Sequence, residues 1–324
     1  MDAITHRTVE HDGLALHVAE AGPPDGPVVL LLHGFPECWY SWRHQLRSLS
    51  AAGYRVLAPD QRGYARSSAP TAVEEYTVLH LVGDAVAVLD DAGAERAVVV
   101  GHDWGAPVAW HTALLRPDRV AGVVGLSVPH LPRPASTPSD RMAARYGPAY
   151  YQLHFQTPGV ADAELAADPR ASLRRILTGR PGPEGPVVPP GGGFLDALHE
   201  PDELPGWLTE EDLDACTAEF ARSGFTGGLH WYRNLDRNWA LTAAWSGVPI
   251  AVPALYVAGA QDMVIAGATQ DGLAAVLGRT CSDLRGVRLL DGCGQWTQQE
   301  RPAEVDEEIL AFAKSTAPPG APVR

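Results

Sequence analysis

VVVGHDWG, residues 98–105, is the most informative stretch of this chain, because it joins a strand to a helix through a very tight turn. Its three valines predict a strand buried on both faces, and the residues from Ala106 onward are helical in character. A Gly-x-Asp-x-Gly turn at such a junction lifts the central side chain out of the sheet. Asp103 is therefore a candidate nucleophile, since a carboxylate can attack carbon and form an ester. The alternative is an aspartate that only caps the following helix.

Comparable apolar runs occur on both sides of this stretch, and each ends in glycine or a polar residue. They are VVLLLHG (28–34), YRVLAPD (54–60), VAGVVGLSVP (120–129), VPALYVAGAQD (252–262) and RGVRLLDGC (285–293). Segments with helical periodicity separate them in the first third of the chain, over 39–53 and 77–93. This alternation predicts an α/β fold whose mostly parallel sheet has helices on both faces.

The alternation stops near residue 130 and returns near residue 250. The intervening part lacks strand-like runs and carries aromatic helical stretches. We therefore predict a core domain formed by residues 1–130 and 246–314, with a helical lid inserted over 131–245. Residues 315–324, rich in proline and small residues, are expected to be a flexible tail.

A second motif, HGFP (33–36), closes the first of these runs. Pro36 presets the turn, so the backbone N–H of Phe35 can point toward the same place as the N–H of Trp104. Two such donors would form an oxyanion hole. The alternative is an ordinary strand-to-loop turn.

Composition excludes several classes of function. The chain has 39 acidic and 25 basic residues, a formal net charge of -14, which argues against binding to nucleic acids or anionic membranes. No apolar run approaches the ~18 residues that span a membrane. The four cysteines lack metal-site spacing and indicate free thiols in the cytoplasm. No glycine-rich nucleotide-binding motif is present, so we expect no cofactor and no metal.

Six segments together resemble the soluble epoxide hydrolases of the α/β-hydrolase fold, over about residues 10–313. They are HGFPE (33–37), PDQRGYARS (59–67), VVGHDWGAPVAW (99–110), YQLHFQTPGVADAEL (151–165), SGFTGGLHWYRNLDRNW (223–239) and GCGQWTQQERPAEV (292–305). The resemblance implies the α/β-hydrolase fold with a lid domain. It also implies that an epoxide and water are the substrates. We expect the epoxide to be small and apolar, and the protein to be a monomer or homodimer.

The resemblance also implies residue roles. Asp103 attacks an epoxide carbon, while Tyr151 and Tyr232 hydrogen-bond the epoxide oxygen and donate a proton as the ring opens. A phenol suits this task because its reference pKa is about 10. Asp262 orients the general base of the second step, which hydrolyses the ester. The substrate pocket is expected to be lined by four residues, Phe35, Pro36, Trp104 and Trp296.

The chain departs from the family at residue 295. The resemblance places the general-base histidine there, but the residue is Gln295, and none of the 12 histidines follows His230. An amide cannot take a proton near pH 7, and loss of a general base costs about 10²–10⁴-fold in rate. We therefore expect ring opening at Asp103 to proceed and ester hydrolysis to be slow.

Three explanations of Gln295 stay open. It is an engineered change that traps an intermediate, a natural variant of low activity, or a change that His102, His154 or His230 compensates. Two other functions also stay open. One is a non-catalytic binding protein that keeps the pocket. The other is a haloalkane dehalogenase, in which Trp104 would bind the leaving halide.

Overall fold

The structure is a computed structural model and describes residues 4–182 and 185–316. Ten strands occur in the described residues: β1 (Thr5–His11), β2 (Leu14–Ala21), β3 (Val28–Leu32), β4 (Arg55–Pro59), β5 (Ala97–His102), β6 (Val120–Leu126), β7 (Arg180–Pro181), β8 (Leu198–His199), β9 (Ala254–Gly259) and β10 (Leu284–Leu290).

The described residues also form thirteen α-helices. They are α1 (Arg43–Ala51), α2 (Val78–Asp91), α3 (Gly105–Leu115), α4 (Pro138–Tyr146), α5 (Tyr151–His154), α6 (Val160–Ala167), α7 (Pro169–Thr178), α8 (Glu210–Ser223), α9 (Thr226–Arg233), α10 (Leu235–Leu241), α11 (Gln270–Thr280), α12 (Thr297–Glu300) and α13 (Pro302–Thr316).

Eight strands form one sheet in the order β1-β2-β4-β3-β5-β6-β9-β10. The pairs β1–β2 and β2–β4 are antiparallel, and the remaining neighbours are parallel. Every residue of β5 is buried, as its continuous run of valines predicts. The predicted α/β fold with a mostly parallel sheet is thereby confirmed.

Helices pack on both faces of this sheet. On one face, α1 and α13 contact each other and the strands, and α13 contributes Val305, Ile309 and Phe312 to the core. These residues recur at helical spacing, so they form one apolar stripe. Helices α2 and α3 also pack together, and α3 contacts β5 and β6. Full burial of each such aliphatic or aromatic side chain stabilises the fold by about 1.5–3 kcal/mol.

The described chain separates into two compact units. The first holds residues up to Gln61, Val78–Pro132 and the part from Gly247 onward, and it contains the large sheet. The second holds Arg62–Thr77 and Arg133–Ser246 and is mainly helical, with the short pair β7–β8.

One segment differs from the sequence-based division, because Arg62–Thr77 groups with the second unit rather than with the core. The indole of Trp231 donates to the Arg62 carbonyl at 3.1 Å, and Arg66 pairs with Glu219 of α8. At the other end, the expected tail begins inside α13, and residues 317–324 lie outside the described residues. None of the described helices is long and apolar enough to cross a membrane.

Candidate active site

The turn between β5 and α3 holds Asp103 in a rare backbone conformation, with φ at 49°. Such a left-handed residue costs about 1–3 kcal/mol, so the surrounding packing must hold it. A Cβ atom added at Gly101 would lie 2.0 Å from the Gly105 carbonyl oxygen, and one added at Gly105 would lie 2.0 Å from that of Leu32. Only glycine fits at both positions, which explains the Gly-x-Asp-x-Gly pattern.

The Asp103 carboxylate is buried and hydrogen-bonded on both oxygens. Its Oδ1 accepts from the Phe35 amide at 2.8 Å, and the Trp104 amide also donates to the carboxylate. Its Oδ2 accepts from the side-chain Nε2 of Gln295 at 3.2 Å. Burial raises the pKa of Asp103 to about 6, although the charge of His102 and the two amides oppose this rise.

The backbone around residue 295 is held independently of its side chain. The Glu300 carboxylate accepts from the amides of Gly294 at 2.7 Å and Trp296 at 3.0 Å. The carbonyl oxygen of Gln295 accepts from His102 Nε2 at 2.7 Å. The loop therefore presents the side chain of residue 295 to Asp103 whichever residue occupies that position.

Asp262 follows β9 and is almost wholly buried. Its neighbour Gln261 donates through its amide to the Cys293 carbonyl at 2.9 Å, so its loop lies beside the loop of residue 295. Oδ1 of Asp262 accepts from the Val264 amide at 2.8 Å, but the buried Oδ2 has no hydrogen-bond partner. Burial raises the pKa of Asp262; the nearby Ser127 hydroxyl opposes this without reaching hydrogen-bond geometry.

Replacing Asp262 with asparagine is expected to stabilise the protein at neutral pH by about 1–3 kcal/mol, because a buried charge without a full set of partners is removed. The pKa of Asp262 in the folded protein lies above its unfolded value of 3.8. At low pH the carboxyl group is therefore protonated in both states, and its charge does not reduce the free energy of unfolding. The stabilisation of Asp262→Asn relative to the parent protein should therefore appear as the pH rises from about 4 and persist at higher pH. Urea unfolding at several pH values measures it.

The matched control for this prediction is Asp283→Asn. Asp283 is a partly exposed carboxylate, with its side chain 40% exposed, and its pKa is lowered by its hydrogen bonds with Arg285. Its replacement should bring no stabilisation at neutral pH. Equal or lower stability of Asp262→Asn at pH 7 would contradict the account of Asp262.

His102 is fixed as a cation beside the candidate nucleophile. Its Nδ1 lies 2.8 Å from the Glu37 carboxylate, and its Nε2 lies 2.7 Å from the Gln295 carbonyl. Both partners only accept hydrogen bonds, so both ring nitrogens carry hydrogen. Burial alone would lower the pKa of His102, but the Glu37 carboxylate raises it to about 9. His102 thus has no lone pair with which to act as a base.

The other two histidines considered as substitutes lie in the second unit. Nδ1 of His230 accepts from Arg233 at 3.0 Å, and burial lowers the pKa of His230. Its ring also hydrogen-bonds to the backbone of Thr71. His154 lines a cavity of about 410 Å³, with its Nε2 3.8 Å from the Glu164 carboxylate. His102 and His230 therefore serve structural hydrogen bonds, which leaves His154 as the remaining candidate of the three.

Glu37 is a site residue that the sequence reasoning did not assign. Its buried carboxylate accepts from the side-chain amides of Gln298 at 3.1 Å and Gln299 at 2.8 Å, in addition to His102. The only local signal is an acidic residue directly after the apolar HGFP turn. The local pattern does not indicate its partners, because His102 is 65 residues away in the chain and the two glutamines are more than 250 residues away.

The two tyrosines that the sequence singled out lie together in the second unit. Tyr151 begins α5 and Tyr232 lies in α9, with ring centroids 6.2 Å apart. Phe155 packs edge-on against both, with centroids 5.4 Å from Tyr151 and 5.1 Å from Tyr232. The neighbouring Tyr150 stacks instead on Tyr146, at 4.4 Å. Of the two neighbouring tyrosines, it is Tyr151 whose ring contacts that of Tyr232.

The four expected pocket residues all lie in the first unit. Phe35 and Trp296 are 4% and 6% exposed, Pro36 is buried, and Trp104 is partly exposed. The Trp296 ring lies 5.8 Å from that of His102. Within residues 4–182 and 185–316, no group of three or more potential ligands could hold a metal ion.

The eight-stranded sheet and the strand–turn–helix at Asp103 define a protein of the α/β-hydrolase fold, and the family described as "alpha/beta hydrolase fold" matches residues 27–178. Epoxide hydrolase A of Mycobacterium tuberculosis is 50% identical over 319 residues, which cover 96% of this chain and 98% of that protein. Epoxide hydrolase 2 of Siraitia grosvenorii is 44% identical over 318 residues, which cover 97% of this chain and 99% of that protein. The chain belongs to the epoxide hydrolase family and is a hydrolase.

A solved structure supports the same assignment. Epoxide Hydrolase A from Mycobacterium thermoresistibile superimposes with a TM-score of 0.90 at 48% identity, covering 96% of this chain and 98% of that one. The predicted family and fold are therefore confirmed.

Proposed function

We propose that this epoxide hydrolase opens a small apolar epoxide through an ester at Asp103 and then releases the diol slowly. This proposal rests mainly on the hydrogen bond from the Gln295 side-chain amide to Oδ2 of Asp103, at 3.2 Å. The side chain of residue 295 thus occupies the position where the second step needs a general base. The epoxide and water as substrates follow from the names of the relatives.

The first half-reaction needs no histidine. Oδ2 of Asp103 attacks one ring carbon, the carbon–oxygen bond of the ring breaks, and the released oxygen takes a proton from Tyr151 or Tyr232. Oδ1 becomes the carbonyl oxygen of the ester. The hydrogen bond from the Gln295 amide occupies one lone pair of Oδ2 and leaves another for the attack.

The second half-reaction has no proton acceptor at residue 295, where the chain carries an amide. Water must add to the ester carbonyl, and the resulting oxyanion would be stabilised by the amides of Phe35 and Trp104. Gln295 cannot receive the proton of that water because it is an amide, and His102 cannot because it is already a cation; of the three histidines, His154 alone stays a candidate. The ester is therefore expected to accumulate.

Intact mass measurement after incubation with a styrene-type epoxide tests this function. We expect one epoxide mass to be added per chain, located at Asp103 by peptide mapping, with diol forming much more slowly. Saturable binding without any adduct would favour the non-catalytic binding protein. Halide release from an alkyl halide, with no reaction of the epoxide, would favour the dehalogenase. Rapid diol formation without adduct would contradict the stalled second step.

The rate of adduct formation is expected to depend on pH through Asp103. Since its pKa is raised to about 6, the carboxyl group is protonated and unreactive below that pH and charged above it. The rate should rise about tenfold for each pH unit below 6 and level off above about pH 7. Quenched mass measurements from pH 4.5 upward show this, and a midpoint near the ordinary value of 3.8 would contradict it.

A further inference from the structure

We propose that Gln152 is the positioning residue that sets the direction of proton donation by Tyr151; this inference rests on the proposed function. Nε2 of Gln152 donates a hydrogen bond to the Tyr151 hydroxyl oxygen at 2.8 Å. An amide nitrogen only donates, so the phenol oxygen is the acceptor in this contact. The phenol hydrogen is then directed away from Gln152 and toward another acceptor.

This contact also acts after the proton has moved. When Tyr151 gives its proton to the epoxide oxygen, its own oxygen becomes negatively charged. A hydrogen bond to a charged group is stronger than one to a neutral group, so the Gln152 donor gains strength as the ring opens. An interaction that grows toward the transition state accelerates the step.

The rest of the second unit fixes Gln152 in place. Nε2 of Gln156, one helical turn later, donates to the Gln152 carbonyl and to the Tyr232 carbonyl, both at 2.9 Å. The segment that carries the first tyrosine is thereby joined to the helix that carries the second. The Phe194 ring stacks on Tyr151 with centroids 5.3 Å apart, which limits rotation of the phenol.

Two titratable groups in contact with Tyr151 are Tyr150 and Tyr232. The ring of Tyr150 lies 4.8 Å from that of Tyr151, and the two hydroxyl groups interact. Burial raises the pKa of Tyr150 to about 12, so it stays neutral over the working range of an epoxide hydrolase and cannot take the Tyr151 proton as a base. The Tyr150 hydroxyl can donate or accept, whereas the Gln152 amide nitrogen only donates, so of these two neighbours it is Gln152 that fixes the Tyr151 oxygen as an acceptor.

Two substitutions separate this role from simple packing. Gln152→Leu removes the donor, and Gln152→Glu replaces it with an acceptor that would hold the phenol hydrogen. We expect adduct formation to slow about 10- to 100-fold in Gln152→Leu and further in Gln152→Glu. At high pH the rate should fall as Tyr151 loses its proton, and this fall should move to higher pH in both Gln152 variants, because the phenolate has lost its hydrogen-bond donor. Gln270, exposed at the start of α11, provides the matched controls Gln270→Leu and Gln270→Glu.

A second measurement does not depend on catalysis. With ring-labelled tyrosine, nuclear magnetic resonance follows the Tyr151 titration directly, assigned by its loss in Tyr151→Phe. We expect this titration to move to higher pH in Gln152→Leu and Gln152→Glu but not in the Gln270 variants. A titration that does not move overturns the inference, even if the parent protein forms no adduct and the proposed function fails. If the parent protein forms the adduct and both Gln152 variants form it at rates within about threefold of the parent, the inference is overturned while the proposed function stands.

Discussion

Gln295→His is expected to raise the rate of diol release by about 10²–10⁴-fold, because it places a general base where the amide of Gln295 cannot accept a proton. The backbone of residue 295 is held by His102, so the new imidazole enters a loop that is already in place. One ring nitrogen would donate to the buried, unpartnered Oδ2 of Asp262, and the other would take the proton of the attacking water. Steady-state diol formation and intact mass measure the change together.

The matched control is Gln295→Asn, which keeps an amide at the same position and should leave the ester long-lived. Adding Asp262→Asn to Gln295→His should remove most of the gain, since the imidazole then loses its orienting carboxylate. A folded Gln295→His protein that forms diol no faster than its parent would show that residue 295 does not limit turnover.

Asp103→Asn is expected to abolish covalent capture, lowering the rate of adduct formation by at least about 10⁴-fold. A neutral amide oxygen is a poor nucleophile, whereas asparagine tolerates the left-handed backbone that this turn requires. The fold should therefore survive, and circular dichroism and thermal unfolding verify that it does. Intact mass after epoxide treatment gives the result.

Asp12→Asn is the matched control for this second change. Asp12 has φ at 50°, almost the same backbone conformation as Asp103, but it is exposed in the turn between β1 and β2. Its replacement should leave adduct formation unchanged. Adduct that persists in Asp103→Asn would identify a different nucleophile.

The central strands could be predicted from sequence because burial on both faces leaves a continuous apolar run, as in the valines of β5. Strands β1 and β2 were not predicted. They form an antiparallel pair at the edge of the sheet, and β1 alternates polar and apolar residues weakly, with mostly exposed side chains. The grouping of Arg62–Thr77 with the second unit could not be predicted, because its partners Trp231 and Glu219 are distant in sequence and no local pattern indicates them.

The candidate site also has a part that the sequence predicts and a part that it does not. Asp103, Phe35 and Trp104 come together because two adjacent strands end side by side, which strand order alone implies. Two other features could not be predicted, because they depend on side-chain geometry between distant loops. They are the direct contact of Gln295 with Asp103 and the Oδ2 atom of Asp262 without a hydrogen-bond partner. Gln152 lies within a motif that was recognised, but its contact is with the next residue in the chain, which helical periodicity does not indicate.

The anchoring of residue 295 through its carbonyl has a consequence for how a loss of activity is noticed. Because His102 and Glu300 hold the backbone there, the identity of the side chain contributes little to folding. Expression yield, melting temperature and resemblance to relatives would then look the same with or without a working base. A survey that ranks proteins by such properties would therefore not detect the proposed accumulation of ester, whereas an assay of repeated turnover would.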